Sequence, residues 1–154
     1  MKYYIIAGEA SGDLYGSKLI DQITSIDKKA DIRFWGGDRM IKSGGYNVKH
    51  IKELAFMGFY EVLKNIKTII KNIELCKNDI KEFNPDKIIY IDYPGFNLKI
   101  CKWAKGKGYK NYYYISPQIW AWKESRIKTI KKNIDKLYVI FPFEKKYYKE
   151  KHNM

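Results

Sequence analysis

The chain has 154 residues, a formal net charge of +13 and an apolar fraction of 45%. This length suits one domain with a real core and is short for two, and the apolar content excludes a disordered chain. No stretch approaches the roughly 18 uninterrupted apolar residues of a transmembrane helix. The apolar run at the start is too short for a signal peptide and runs directly into a Gly/Glu/Asp loop, which predicts a buried first strand in a cytoplasmic protein.

The excess of lysine favours an anionic partner: nucleic acid, an anionic membrane surface or a phosphorylated substrate. The chain is also rich in Ile, Asn and Tyr, so an AT-biased genome is an alternative explanation for the lysines. They are spread along the chain and form no basic arm, which weakens the nucleic-acid interpretation. The two cysteines and two histidines lack metal-ligand spacing, so neither structural zinc nor a thiol catalyst is predicted.

Strand-like apolar runs alternate with helix-period segments along the chain. In chain order the prediction is strand 2–7, helix 14–26, strand 32–35, helix 39–43, strand 46–49, helix 63–83, strand 87–91, helix 97–105, strand 112–115, helix 123–133, strand 137–140 and helix 143–149. The first helix is predicted to turn four aliphatic residues to the core, namely Leu14, Leu19, Ile23 and Ile26. The alternation predicts one domain over residues 1–154, with a Rossmann-like, doubly wound α/β fold and a mostly parallel sheet of about six strands.

The loop after the first strand is rich in glycine and acidic residues. Its glycines do not have the spacing of the dinucleotide fingerprint, and Glu9 and Asp13 would repel a pyrophosphate at the N-terminus of the helix. The loop is therefore predicted to contact a hydroxyl-bearing ligand. In this prediction Gly8 and Gly12 bring the backbone close to the ligand and Ser11 donates a hydrogen bond. The alternative for Asp13 is a structural role as a cap of the first helix.

Asp92 ends the fourth predicted strand. Ligands of a doubly wound sheet bind beyond the carboxyl ends of the strands, where the strand order reverses, and strands one and four are neighbours there. Glu9 and Asp92 are therefore predicted to face one crevice, as candidates for a general base and its electrostatic partner. The alternative for Asp92 is to cap the turn that follows it.

Aromatic residues are concentrated in two further segments. Trp120 and Trp122 follow the fifth strand, where they either bind a sugar ring or an acyl chain or pack the loop onto the sheet. Arg126 begins the next helix and is either a phosphate contact or a surface residue. The second segment is either core or an apolar lip for acyl chains or a bilayer, and its residues are Phe56, Met57, Phe59 and Tyr60.

Five segments resemble the successive signatures of the lipid A disaccharide synthase family: residues 7–13 (AGEASGD), 53–58 (ELAFMG), 91–97 (IDYPGFN), 116–122 (SPQIWAW) and 142–144 (PFE). They occur in the family's order over nearly the whole chain, which makes the combination specific. Many family members have Asp where this chain has Gly95, so no essential carboxylate is expected at that position.

The resemblance implies an inverting glycosyltransferase of the GT-B type that needs no metal or other cofactor and works at the cytoplasmic face of the inner membrane. It would join UDP-2,3-diacylglucosamine to 2,3-diacylglucosamine 1-phosphate through a β-1,6 linkage and release UDP. The resemblance makes Asp92 the general base with Glu9 beside it, and it adds Asn97, Ser116 and Gln118 to the predicted substrate contacts. Family members have a further C-terminal domain with most of the donor site, so the chain is expected to be inactive alone.

Two competing functions stay open on the sequence. One is a nucleotide-binding Rossmann enzyme, such as an oxidoreductase, against which the spacing and the carboxylates of the first loop count. The other is a basic, non-catalytic module that binds nucleic acid or membrane, for which steeply salt-dependent DNA binding would be the sign. Nothing in the sequence indicates the oligomeric state.

Overall fold

The computed structural model describes residues 1–54, 66–121 and 123–154. Its centre is a six-stranded parallel sheet in the order β3-β2-β1-β4-β5-β6. The strands are β1 (Lys2–Ala7), β2 (Asp31–Gly36), β3 (Tyr46–His50), β4 (Lys87–Ile91), β5 (Asn111–Tyr114) and β6 (Lys136–Tyr138). The helices are α1 (Ala10–Ile26), α2 (Asp38–Ser43), α3 (Ile66–Phe83), α4 (Pro94–Gly106), α5 (Ile127–Asn133) and α6 (Pro142–His152), with 3-10 turns at Ile51–Glu53 and Glu124–Arg126. This order reverses between β1 and β4, which confirms the Rossmann-like, doubly wound prediction.

Helices pack on both faces of the sheet, but on one face, that of α1, β5 and β6 border an open cavity lined by Tyr112, Tyr114 and Tyr138. On one face α3, α4, α5 and α6 pack a core that includes Tyr4, Trp35 and Tyr90. On the other face α1 and α2 pack against Ile5 and Phe34. Parallel strands that are buried on both sides need nearly continuous apolar sequences, and this is why β1 and β4 begin and end at the predicted residues.

Helix α1 buries small residues together with Ile20, and the predicted aliphatic face is right only in part, since Leu19 and Ile23 pack against the core but Ile26 does not. Ile26 is 84% exposed, whereas Gly16 and Ser17 are buried. The small residues bring α1 close to its neighbours: a β carbon at Gly16 would lie 2.5 Å from the sulfur of Met40 in α2. The helix begins at Ala10, before the predicted start, because its first turn contains no large apolar residue that periodicity could detect.

The remaining elements differ from the prediction by a few residues at their ends. Helix α4 begins at Pro94 and not at residue 97, since proline fits the first turn of a helix. The helix predicted at 123–133 begins with the 3-10 turn at Glu124–Arg126. Within the described ranges, no helix combines the length and the hydropathy that crossing a bilayer requires.

Candidate active site

The loops that follow β1 and β4 touch each other. The two strands pair up to their last residues, so Gly8 and Asp92 leave the sheet side by side. A β carbon at Gly8 would lie 2.3 Å from the ring of Tyr93. Burial, and then the negative charge of Glu9, raise the pKa of Tyr93 to about 12. The structure therefore brings Glu9 and the Asp92 loop together, as the strand order predicts.

The backbone at the carboxyl edge of the sheet is strained. Asp92 (φ 45°) and Tyr93 (φ 48°) after β4, and Ile115 (φ 63°) after β5, are left-handed. Such a conformation costs a residue other than glycine on the order of 1–3 kcal/mol, and it clusters at functional sites. Two buried side chains hold the Asp92–Tyr93 turn after β4. The Asn97 amide and the Tyr113 hydroxyl donate to the Asp92 carbonyl oxygen at 2.7 and 2.6 Å.

Asp92 is partly buried beside a cation. Loss of hydration raises the pKa of its carboxyl above the ordinary value, although the Tyr93 N–H and the positive charge of Arg126 oppose the shift. A raised pKa makes a carboxylate a better proton acceptor. Asp92 is not the N-cap of α4, which is Tyr93, but its carboxyl accepts the Tyr93 N–H, so the alternative that Asp92 caps the turn after β4 stays open beside the functional one.

Asp13 holds α1 and α2 together. It is 5% exposed, and its carboxylate accepts hydrogen bonds from the N–H groups of Gly37, Arg39 and Met40 at 2.7, 3.1 and 3.0 Å. These N–H groups lie at the start of α2, so Asp13 caps α2 from the neighbouring helix. The predicted cap of α1 is wrong because Asp13 lies inside α1. The predicted ligand contact is corrected too, since the Asp13 side chain is almost wholly buried between the two helices.

The glycines of the first loop make room for the protein's own side chains. The Tyr93 ring fills the space beside Gly8, and a β carbon at Gly12 would lie 3.0 Å from that of Ala7. The close approach in the structure is therefore between β1, α1 and the β4 loop. Ser11, on the first turn of α1, is exposed, and its hydrogen bond to a ligand stays a prediction.

Gly8→Ala is expected to lower the free energy of unfolding by about 1–3 kcal/mol, the usual effect of overpacking. The new methyl group would overlap the Tyr93 ring, which is stacked on Phe96 with 5.7 Å between ring centroids and has little room to move. Urea denaturation measures the change. Gly95→Ala is the matched control, because a β carbon there meets no atom within 4 Å. Equal losses in the two variants would contradict this packing.

Buried polar groups hold the segment after β5. Ser116 is buried, and its hydroxyl lies 2.9 Å from the Tyr148 hydroxyl, so its predicted substrate contact is corrected to an internal one. The Trp120 indole N–H donates to Glu144 at 3.1 Å. Glu144 is 1% exposed and also accepts from two backbone N–H groups before α6. The indole N–H edge of Trp120 is therefore bonded within the protein, which agrees with the alternative that this tryptophan packs its loop.

An aromatic cluster of Trp120, Phe141 and Phe143 lies at the carboxyl edge of the sheet. Phe143 is stacked on Phe141 and meets the Trp120 ring edge-on, with centroids 5.6 and 5.0 Å apart. The three side chains stay 40–49% exposed. A contiguous exposed apolar surface of this kind is typical of a binding site. Gln118, in the same segment as Trp120, is exposed as well.

The remaining candidate residues are Asn97, which is buried, and five that lie outside the described part of the chain. Asn97 is wholly buried, and its amide N–H groups point to the carbonyls of Ile6, Ile91 and Asp92, so the predicted substrate contact is corrected to a support of the Asp92 turn. Sequence reasoning missed Tyr113, whose partner is 21 residues away. Five predicted contacts lie outside the described residues, namely Phe56, Met57, Phe59, Tyr60 and Trp122.

Residues 3–154 match the family model of the lipid-A-disaccharide synthetases. The chain belongs to this family. Its relatives include the lipid-A-disaccharide synthases of Coxiella burnetii strain Dugway 5J108-111 (41% identical over 148 residues) and Trichlorobacter lovleyi (43% over 146 residues). The matches cover 96% and 95% of this chain but only 39% and 38% of the relatives. The chain thus spans about two fifths of the length of these synthases.

Two solved structures share the fold of this synthase-family chain. The glycosyltransferase of kitacinnamycin has a TM-score of 0.57 at 10% identity, over 85% of this chain and 34% of that protein. A UDP-GlcNAc 2-epimerase from Neisseria meningitidis, bound to UDP-GlcNAc, has a TM-score of 0.55 at 11% identity, over 90% of this chain and 40% of that protein. At these identities the likeness concerns the fold alone.

Proposed function

We propose that this chain is the acceptor-binding part of a lipid A disaccharide synthase and that Asp92 is its general base. The reaction would join UDP-2,3-diacylglucosamine to 2,3-diacylglucosamine 1-phosphate through a β-1,6 linkage and release UDP. One observation carries the proposal: in a member of this family, a partly buried carboxylate stands on a strained, pinned turn next to the Glu9 loop.

The 6-hydroxyl of the acceptor is a poor nucleophile until its proton is removed. In the proposed step Asp92 accepts this proton while the oxygen attacks the anomeric carbon of the donor and the bond to UDP breaks. A single inversion converts the α-linked donor into a β-linked product. Removal of the proton by a positioned base contributes typically about 10²–10⁴-fold to such a rate. Glu9, which is exposed beside Tyr93, is proposed to orient the acceptor sugar.

The other parts of the acceptor match groups at the same edge of the sheet. Arg126, whose charge acts on Asp92, is proposed to bind the 1-phosphate, since a guanidinium fits phosphate oxygens. The exposed aromatic cluster, with Trp120 at its centre, offers an apolar surface for an acyl chain. Ser11 and Gln118 are proposed as hydrogen-bonding contacts of the sugar.

Residues 1–154 are proposed to form one domain of a GT-B arrangement, with most of the UDP site in a further domain. The whole protein is proposed to sit at the cytoplasmic face of the inner membrane. The support for this location is the net charge of +13, which suits anionic lipid heads, together with the acylated substrates of the reaction. Salt-sensitive co-sedimentation with anionic vesicles would support it, and equally strong binding to DNA would contradict it.

Acceptor binding is the first test. The 154-residue chain is titrated with 2,3-diacylglucosamine 1-phosphate while backbone amide resonances are followed by NMR. We expect the largest shifts in the loops that carry Glu9, Asp92 and Trp120, and weaker binding of UDP. Binding of a dinucleotide at the first loop, without acceptor binding, would instead support the competing Rossmann enzyme.

Sugar transfer is the second arm of the test. A fused chain is made in which residues 1–154 are followed by the part of the Coxiella burnetii relative that lies beyond the matched region. Mass spectrometry measures the disaccharide product, and the 154-residue chain alone, from which no product is expected, is the comparison. Absence of product from a folded fused chain that binds the acceptor would contradict the proposed function.

A further inference from the structure

We infer that Tyr113 is a positioning residue for Asp92, and this inference rests on the proposed role of Asp92 as the base. Tyr113 lies on β5, the strand next to β4, and it is wholly buried. Its hydroxyl donates to the Asp92 carbonyl oxygen at 2.6 Å. The bond therefore links strand β5 to the backbone of the proposed base.

The Asp92 turn needs such a support. Asp92 and Tyr93 are consecutive left-handed residues with φ of 45° and 48°, and neither is a glycine. A backbone of this kind persists only where the surroundings over-determine it. The Asn97 amide holds the same carbonyl from α4 at 2.7 Å, so the carbonyl is held by one donor from α4 and one from β5.

The surroundings of Tyr113 suit a fixed donor. Burial, and then the negative charge of Asp92, raise the pKa of Tyr113 well above its usual value, so the hydroxyl keeps its proton over the range of an enzyme assay. The other charged groups that act on this turn are Arg126, on Asp92 itself, and Glu9, on the Tyr93 phenol.

The test is Tyr113→Phe, which removes only the hydroxyl oxygen. The chain contains a matched control in Tyr90→Phe, because Tyr90 is equally buried, and its ring centroid lies 5.7 Å from that of Tyr113. The Tyr90 hydroxyl donates to the Asn111 side chain at 2.9 Å and not to the Asp92 turn. Each variant loses one buried hydroxyl, so a purely structural role for Tyr113 predicts the same behaviour for both.

The first readout is the pKa of the Asp92 carboxyl in the 154-residue chain, followed by NMR through its carboxyl carbon. In Tyr113→Phe the released turn lets water reach the carboxyl, so the pKa is expected to fall towards the ordinary aspartate value of about 3.9. In Tyr90→Phe the pKa is expected to stay that of the unchanged chain. An Asp92 pKa that is equal in the two variants would overturn the inference.

The second readout is transfer by the fused chain. Misplacement of a reacting group by about 1 Å costs on the order of 100-fold in rate, so Tyr113→Phe is expected to lower kcat by on the order of 10–100-fold. KM should change little, and the acid limb of the pH profile should move to lower pH. Equal kcat values for the two Phe variants would also overturn the inference. If Asp92→Asn leaves transfer unchanged, the proposed base is wrong, yet the NMR comparison still decides whether Tyr113 positions Asp92.

Discussion

Asp92→Asn is expected to slow disaccharide synthesis by the fused chain by about 10²–10⁴-fold. Asparagine has nearly the same shape and retains an oxygen to accept the Tyr93 N–H, but it cannot take up the proton of the acceptor hydroxyl. Acceptor affinity, measured by calorimetry on the 154-residue chain, should therefore change little. Turnover within about twofold of the unchanged protein would exclude Asp92 as the base, and Glu9→Gln would be the next variant to measure.

The same substitution is expected to leave the protein as stable at pH 7 or to stabilise it. Burial raises the pKa of Asp92, so the folded state holds the proton more tightly than the unfolded chain. The stability linked to this group is therefore full below the unfolded pKa and is lost as pH rises through the folded pKa. Melting temperatures measured from acid to neutral pH should rise for Asp92→Asn relative to the unchanged chain. The opposite trend would mean that the ionised carboxylate stabilises the fold.

Asp13→Ala is expected to destabilise the fold by about 3–5 kcal/mol, because each buried N–H group left without an acceptor costs about 1–3 kcal/mol. The variant removes the carboxylate that accepts from three N–H groups at the start of α2, two of them in buried hydrogen bonds. Urea denaturation measures the loss. Asp21→Ala is the matched control, since Asp21 is exposed on the same helix, and it should change stability by less than about 0.5 kcal/mol.

The loss of stability in Asp13→Ala should not be accompanied by a loss of ligand binding. Below its melting temperature, the Asp13→Ala chain is expected to bind the acceptor within a few-fold of the unchanged chain, since the Asp13 side chain is enclosed between α1 and α2. A loss of binding without a loss of stability would restore Asp13 as a ligand contact. Equal denaturation midpoints for Asp13→Ala and Asp21→Ala would refute its role as a cap.

The fold is largely predictable from the chain because its central strands, β1 and β4, are buried on both faces. Continuous apolar runs mark β1 and β4 to the residue, and the alternation with helices then leaves few topologies. The exception is the buried face of α1, where Gly16 and Ser17 are buried beside Ile20 and Ile26 is exposed. Periodicity reports large apolar side chains, so it cannot detect a helix that packs closely by means of small ones.

The candidate site was predictable to the level of which loops meet. The strand order alone places Glu9 near Asp92, and the structure agrees. The roles of Gly8, Asp13 and Asn97 were not predictable, because each depends on a partner from another element: the Tyr93 ring, the start of α2 and the Asp92 carbonyl. A polar or glycine residue in a loop has the same appearance in the sequence whether it contacts a ligand or its own fold.

Hydrophobic pattern and loop composition along the chain are thus sufficient to predict the parallel sheet and the order of its strands. They also lead to the carboxyl edge of the sheet as the place of the proposed site. The resemblance of five ordered segments to a known family is a separate source, and it correctly indicated the family to which the chain belongs. Only the folded chain shows that the aspartates of that edge differ in burial: Asp92 is half-buried, whereas Asp13 is almost wholly buried and accepts from backbone N–H groups. The physical reason is that burial follows from the whole chain and is approximated well by apolar runs, whereas a hydrogen bond depends on tenths of an ångström between residues that are distant in sequence.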